Sequence, residues 1–101
     1  MPRMQVKDAQ RMLADVPKEH YFKCHDGRVL GNLEELGKAL ASMSEDTFAH
    51  HATAENNDFA NWVRQIVGDK KLANDLERSL VRTKAAQAVE SRLAFLASKL
   101  A

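Results

Sequence analysis

A chain of 101 residues has room for one small core, and 45% hydrophobic with 29% charged residues is the balance of a folded globular domain rather than a disordered tail. A formal net charge of +1 excludes a generally polycationic or polyanionic binder. The single Cys24 excludes an internal disulfide framework and fits a reducing, cytoplasmic setting, while only four Gly and two Pro favour long helices over many short strands.

The opening M-P-R-M-Q-V-K-D is charged and leads into no apolar stretch, so neither a signal peptide nor an anchor is expected. No apolar run approaches the roughly 18 residues of a membrane span, which argues against a membrane partner. Met4, Ala9, Met12, Leu13 and Val16 recur at helical spacing among charged residues. They predict a peripheral N-terminal helix within residues 1–16, stopped near Pro17. Tyr21, Phe22, Val29 and Leu30 then favour extended backbone on either side of the turn signal Asp26-Gly27. At most a minimal β-hairpin near residues 21–30 is expected there.

Asn32 and Glu35 have the spacing of a capping box that opens a helix at Leu33, with Leu36, Leu40 and Met43 on its inner face. Ser44 is the next N-cap, followed by Glu45 and Asp46, the acids a helix start favours. Its helix carries Phe48 and Ala52 inward, with His51 beside them and His50 on a wetter face. After T-A-E-N-N, Asn57 caps a helix in which Phe59, Trp62, Val63, Ile66 and Val67 keep the cleanest helical period of the chain. Gly68 closes it. Asp69 opens the next, where Leu72, Leu76 and Leu80 recur every fourth residue. Thr83 is the expected cap of a last helix, over 83–101, with Ala86, Val89, Leu93, Leu96 and Leu100 forming an apolar seam.

Several of these residues form patterns that resemble a family of small prokaryotic helical proteins catalogued only as a domain of unknown function. The matching stretches are D-G-R-V-L-G-N-L-E-E-L from Asp26, M-S-E-D-T-F-A-H-H from Met43, N-D-F-A-N-W-V from Asn57 and G-D-K-K-L-A from Gly68. The resemblance covers residues 21–78 and implies a mostly helical fold without implying an activity.

Four constellations carry possible chemistry. Cys24, His25, His50 and His51, with His20 nearby, are zinc-type ligands, but neighbouring helical side chains diverge by about 100° and no C-x-x-C or H-x-x-x-H spacing is present. His51 with Asp58 is an acid-base pairing, and the polar cluster His50, His51, Asn57 and Asp58 serves equally well as a hydrogen-bonded junction between helices. Cys24, flanked by Lys23 and His25, is either a reactive thiol or a packed one. Lys70, Lys71, Arg78, Arg82 and Lys84 form a candidate nucleic-acid face, although Asp69, Asp75 and Glu77 interleave with them. Finally, Val89, Leu93, Phe95, Leu96 and Leu100 are a candidate interface, because Phe95 widens the last helix's apolar face beyond its seam.

The expected architecture is a mostly α, single small orthogonal helical domain of about five helices over residues 1–101. Phe48, Phe59, Trp62, Val63 and Ile66 are its expected centre, joined by Leu33, Leu36, Leu40, Leu72 and Leu76. No cofactor or metal motif emerges. The expected function is a non-enzymatic cytoplasmic protein-interaction module, self-associating through the C-terminal helix or holding another protein. A nucleic-acid-associated protein is the alternative, and a His-dependent enzyme or metal binder the weaker one.

Overall fold

Side chains close the first turn of most helices in this fold. A computed structural model describes residues 4–101, so the first three residues of the expected N-terminal helix lie outside the described residues. Helix α1 (Val6–Leu13) buries Ala9 and Met12 and ends earlier than its apolar period suggested. Val16 precedes a proline, which disfavours helical backbone, and its N–H instead meets the Gly31 carbonyl at 2.8 Å.

After a 3₁₀ turn (Lys18–His20), strands β1 (Phe22–Lys23) and β2 (Val29–Leu30) pair antiparallel, Phe22 opposite Leu30. This is the minimal hairpin expected near residues 21–30. The Cys24 N–H donates to the Arg28 carbonyl at 2.8 Å and the Gly27 N–H to the Cys24 carbonyl at 2.9 Å, which closes the turn.

Helix α2 (Leu33–Ser42) starts at Asn32, whose side chain accepts the Glu35 N–H at 2.8 Å. The Glu35 carboxylate takes the Gly31 N–H at 2.6 Å rather than that of Asn32, so the box reaches one residue further upstream than expected. Helix α3 (Glu45–His51) begins at Ser44, which accepts the Thr47 N–H at 3.0 Å.

Helix α4 (Asp58–Trp62) begins at Asn57 and runs into a π turn (Val63–Val67), where the sequence predicted one regular helix. The wider turn rotates the following side chains, so Val67 stays buried while Ile66, an expected centre residue, is only partly covered. Gly68 then takes a left-handed φ of 86°, a conformation that costs other residues 1–2 kcal/mol by order of magnitude, and lets the chain turn into α5 (Lys70–Glu77).

Leu80 does not continue the α5 face as expected; it lies beyond the helix end and is exposed. Helix α6 (Arg82–Ser98) starts one residue before Thr83, behind Val81, with no side-chain cap. A tertiary contact anchors this start instead. The Arg82 guanidinium donates to the Leu40 and Ala41 carbonyls, at 2.8 and 3.0 Å, and to Glu45 Oε2 at 2.6 Å. It thereby satisfies carbonyls that the end of α2 leaves unpaired.

Six α-helices and the small hairpin make this a mostly α fold among the described residues. The radius of gyration, 12.9 Å, is that of one compact body of this length. The core centre is aromatic: the Phe59 ring stacks on Phe22 at 5.2 Å and on Phe48 at 5.8 Å, and Trp62 meets Phe22 edge-on at 5.9 Å. The Trp62 indole N–H donates to the His20 carbonyl at 2.7 Å, which ties the 3₁₀ turn to α4. Across the core, α2 and α6 approach closely at Gly37, where a Cβ would come within 3.1 Å of Val89 Cγ1.

Candidate functional site

The polar cluster forms where α3, the 53–57 loop and the hairpin turn meet. His51 is buried, its ring edge-on to Phe22 at 5.1 Å and tilted against Phe59 at 5.3 Å. Its Nε2 accepts the His25 backbone N–H at 2.9 Å, so that nitrogen carries no proton. The proton therefore sits on Nδ1 and is donated to Asp58 Oδ2 at 3.0 Å. Asp58 also receives the Asn56 amide on Oδ1 at 2.8 Å.

A general base needs a lone pair turned toward its substrate. The lone pair of His51 is occupied by a backbone amide inside the protein. Asn57 is similarly committed: its Oδ1 accepts the Ala60 N–H at 3.0 Å and its Nδ2 donates to the Leu76 carbonyl at 3.0 Å. These bonds join α4 to the end of α5, and the isolated bridge between Ala52 and Asn57 closes the intervening loop. The His51, Asn57 and Asp58 arrangement is a hydrogen-bonded junction.

His50 is exposed at the edge of that junction, its ring edge-on to that of His51 with centroids 4.9 Å apart. Its ring stacks on that of His25, with centroids 3.9 Å apart and planes 16° from parallel. The four-ligand grouping of Cys24, His25, His50 and His51 does not assemble, because Cys24 is buried and both His51 nitrogens are engaged. Among the described residues no three His, Cys, Asp or Glu side chains group as metal ligands.

Burial pushes the Cys24 thiol above its ordinary pKa, and the backbone amide of Asp26 only partly offsets this. The flanking Lys23 and His25 are exposed while Cys24 points into the core, the alternation expected of extended backbone. Asp26 is shifted the opposite way: the Arg28 N–H bound to its carboxylate, at 3.0 Å, holds it below the usual carboxylate range.

Of the basic face, Arg82 is tied to the end of α2 and Lys71 is paired with Asp75 one turn along. Lys70, Arg78 and Lys84 are exposed and form no ion pair among the described residues. The candidate interface divides between inside and outside. Val89 and Leu96 are fully buried and Leu93 is partly buried, whereas Phe95 and Leu100 are 40% and 46% exposed. Phe95 edges a cleft of about 380 Å³ between α5 and α6, lined also by Lys71, Asp75, Ala88, Ser91 and Arg92. The Arg92 guanidinium and the Lys99 ammonium each lie 5.0 Å from the centre of its ring.

Two relationships had no sequence signal: the place of Phe22 among the core aromatics and the bond from Arg92 to Asp69. Comparison with protein-family models, curated proteins and solved structures gave no match. The class that stands is a small, mostly α protein whose only buried histidine, among the described residues, is used as a structural strut.

Proposed function

We propose that the protein is a non-enzymatic, cytoplasmic protein-interaction module that binds through the outer face of α6, to a second copy or to another protein. The observation that carries this reading is the division of α6. Its inner face completes the core with Val89 and Leu96, while Phe95 and Leu100 remain on the outside beside the α5–α6 cleft. Aromatic side chains with a cation alongside are the kind of anchor that protein interfaces favour. The engagement of both His51 nitrogens supports the non-enzymatic part, and the lone buried thiol suits a cytoplasmic setting.

A protein partner is favoured over nucleic acid because Lys71 and Arg82, two of the five basic candidates, are spoken for within the fold. No helix among the described residues is long and apolar enough to cross a membrane. The deciding experiment is capture from native cell extract alongside light scattering, with wild type and Phe95→Asp. Loss of the captured partner, or of a dimer, in the variant supports the reading. A monomer that captures the same proteins with and without Phe95 ends it.

A further inference from the structure

We infer that the cleft between α5 and α6 seats an amphipathic helix of another protein, one with acidic residues at both ends of its apolar face. The inference rests on the reading of α6 as the binding face and adds the chemistry of the partner.

On α6, Lys84, Ala88, Ser91, Phe95 and Lys99 follow one another at steps of four, three, four and four residues, so they share one side of the helix. Ala88, Ser91 and Phe95 line the cleft. Lys84 and Lys99 extend the same stripe beyond it at either end, about 22 Å apart along the axis at a rise of about 1.5 Å per residue. The facing wall on α5 is formed by Lys71 and Asp75, with Arg78 on the same side of that helix at its end.

Charge decides what this groove can hold. In its middle the cations are already matched, Lys71 by Asp75 and Arg92 by the buried Asp69. At its ends they are not. Arg78 and Lys84 at one end and Lys99 at the other are exposed and form no ion pair among the described residues. The Lys99 ammonium lies 5.0 Å from the centre of the Phe95 ring, which puts the apolar anchor and a free cation side by side. A groove that is apolar in its middle and cationic at both ends complements a helix that is apolar in its middle and acidic at both ends. A second copy does not fit this pattern. Antiparallel pairing of α6 with itself brings Lys84 against Lys99, and parallel pairing brings each lysine against its own copy. Nucleic acid is disfavoured too, because a phosphate backbone is held by a run of cations, and here Asp75, Ala88 and Phe95 interrupt the run.

The test is fluorescence anisotropy with a labelled helical peptide of about 16 residues, the length of that span, with two glutamates in each end turn and leucines at i, i+4 and i+7 between them. The acidic peptide is expected to bind at one per chain and more weakly as salt rises, and its counterpart with lysines in place of the glutamates is expected not to bind. Lys84→Glu and Lys99→Glu should each lower the affinity about fivefold or more, and Phe95→Asp about tenfold or more. Lys38→Glu should bind as wild type, because α2 packs on the buried side of α6, at Val89. All four side chains are exposed, so the variants keep the wild-type circular dichroism. Absence of binding, equal binding of the lysine peptide, or tighter binding of a single-stranded oligonucleotide than of the acidic peptide overturns the inference. Capture from native extract separates it from the reading it rests on. Partners lost with Phe95→Asp but kept by the double variant Lys84→Glu, Lys99→Glu overturn this inference alone, whereas partners kept by Phe95→Asp end both.

Discussion

Asp69 is completely buried, and the Arg92 guanidinium holds both of its carboxylate oxygens, at 2.7 and 3.0 Å. The same carboxylate caps α5 by accepting the Leu72 N–H at 3.1 Å. One side chain therefore starts α5 and fastens it to the middle of α6. Removing either partner leaves the other charge without its counterpart, a change that costs about 3–5 kcal/mol at buried pairs. Asp69→Ala and Arg92→Ala should each lower the urea midpoint by a corresponding amount, and the double variant should lose clearly less than the sum of the two. Additive losses would mean that the pair is not coupled.

Asn57 should be almost as sensitive, although it carries no charge. Asn57→Ala removes a helix cap, worth about 0.5–2 kcal/mol, and strips the Leu76 carbonyl of its donor, worth about 1–3 kcal/mol more. Asn57→Ser keeps a capping oxygen but cannot span to Leu76, so its stability should fall between wild type and Asn57→Ala. Equal stability of the three proteins in chemical denaturation would contradict the junction.

The two halves of α6 separate assembly from stability. Leu96→Ala opens a cavity in the core and should cost about 2–5 kcal/mol. Phe95→Asp loses no more than about 1 kcal/mol, mostly its contacts with Arg92 and Lys99. Thermal melts of the two variants give the comparison, and a Phe95→Asp protein that unfolds with Leu96→Ala would place Phe95 in the core.

Cys24 gives a pH dependence of known sign. Its thiol is raised in the folded protein by burial, so the folded chain keeps a proton that the unfolded chain releases at its ordinary value, about 8.5. Its contribution is complete below that pH and is lost as pH rises toward the folded value. Stability should therefore fall more steeply above about pH 8.5 in wild type than in Cys24→Ala, measured by denaturant titration across that range. Alkylation of the native protein should also be slow and accelerate on adding denaturant. Matching pH profiles, or rapid native alkylation, would show an accessible thiolate.

Much of this fold was written locally. Asn32, Ser44, Asn57 and Asp69 each cap the helix that their position predicted, because a cap and the amide it accepts are three residues apart. The turn signal Asp26-Gly27 between residues that favour extended backbone likewise placed the hairpin, and the spacing of Val89 and Leu96 put them on one apolar seam of α6, which the fold turns inward. Where helix geometry changed, the pattern misled: the π turn at Val63–Val67 moved Ile66 outward, and an arginine bound to α2 set the start of α6 in place of Thr83.

The sequence by itself determined which segments are helical, where α2, α3, α4 and α5 begin, and that the chain has one apolar core of ordinary composition. Only the tertiary structure decided which side chains meet across it: His51 with the His25 backbone, Asn57 with Leu76, Arg92 with Asp69, and the His25 ring with that of His50. Helix periods and caps are interactions over three to four residues and leave a mark in the sequence. These four join residues about 20 or more apart, at distances set by how the helices pack, and the packing is a property of the whole core.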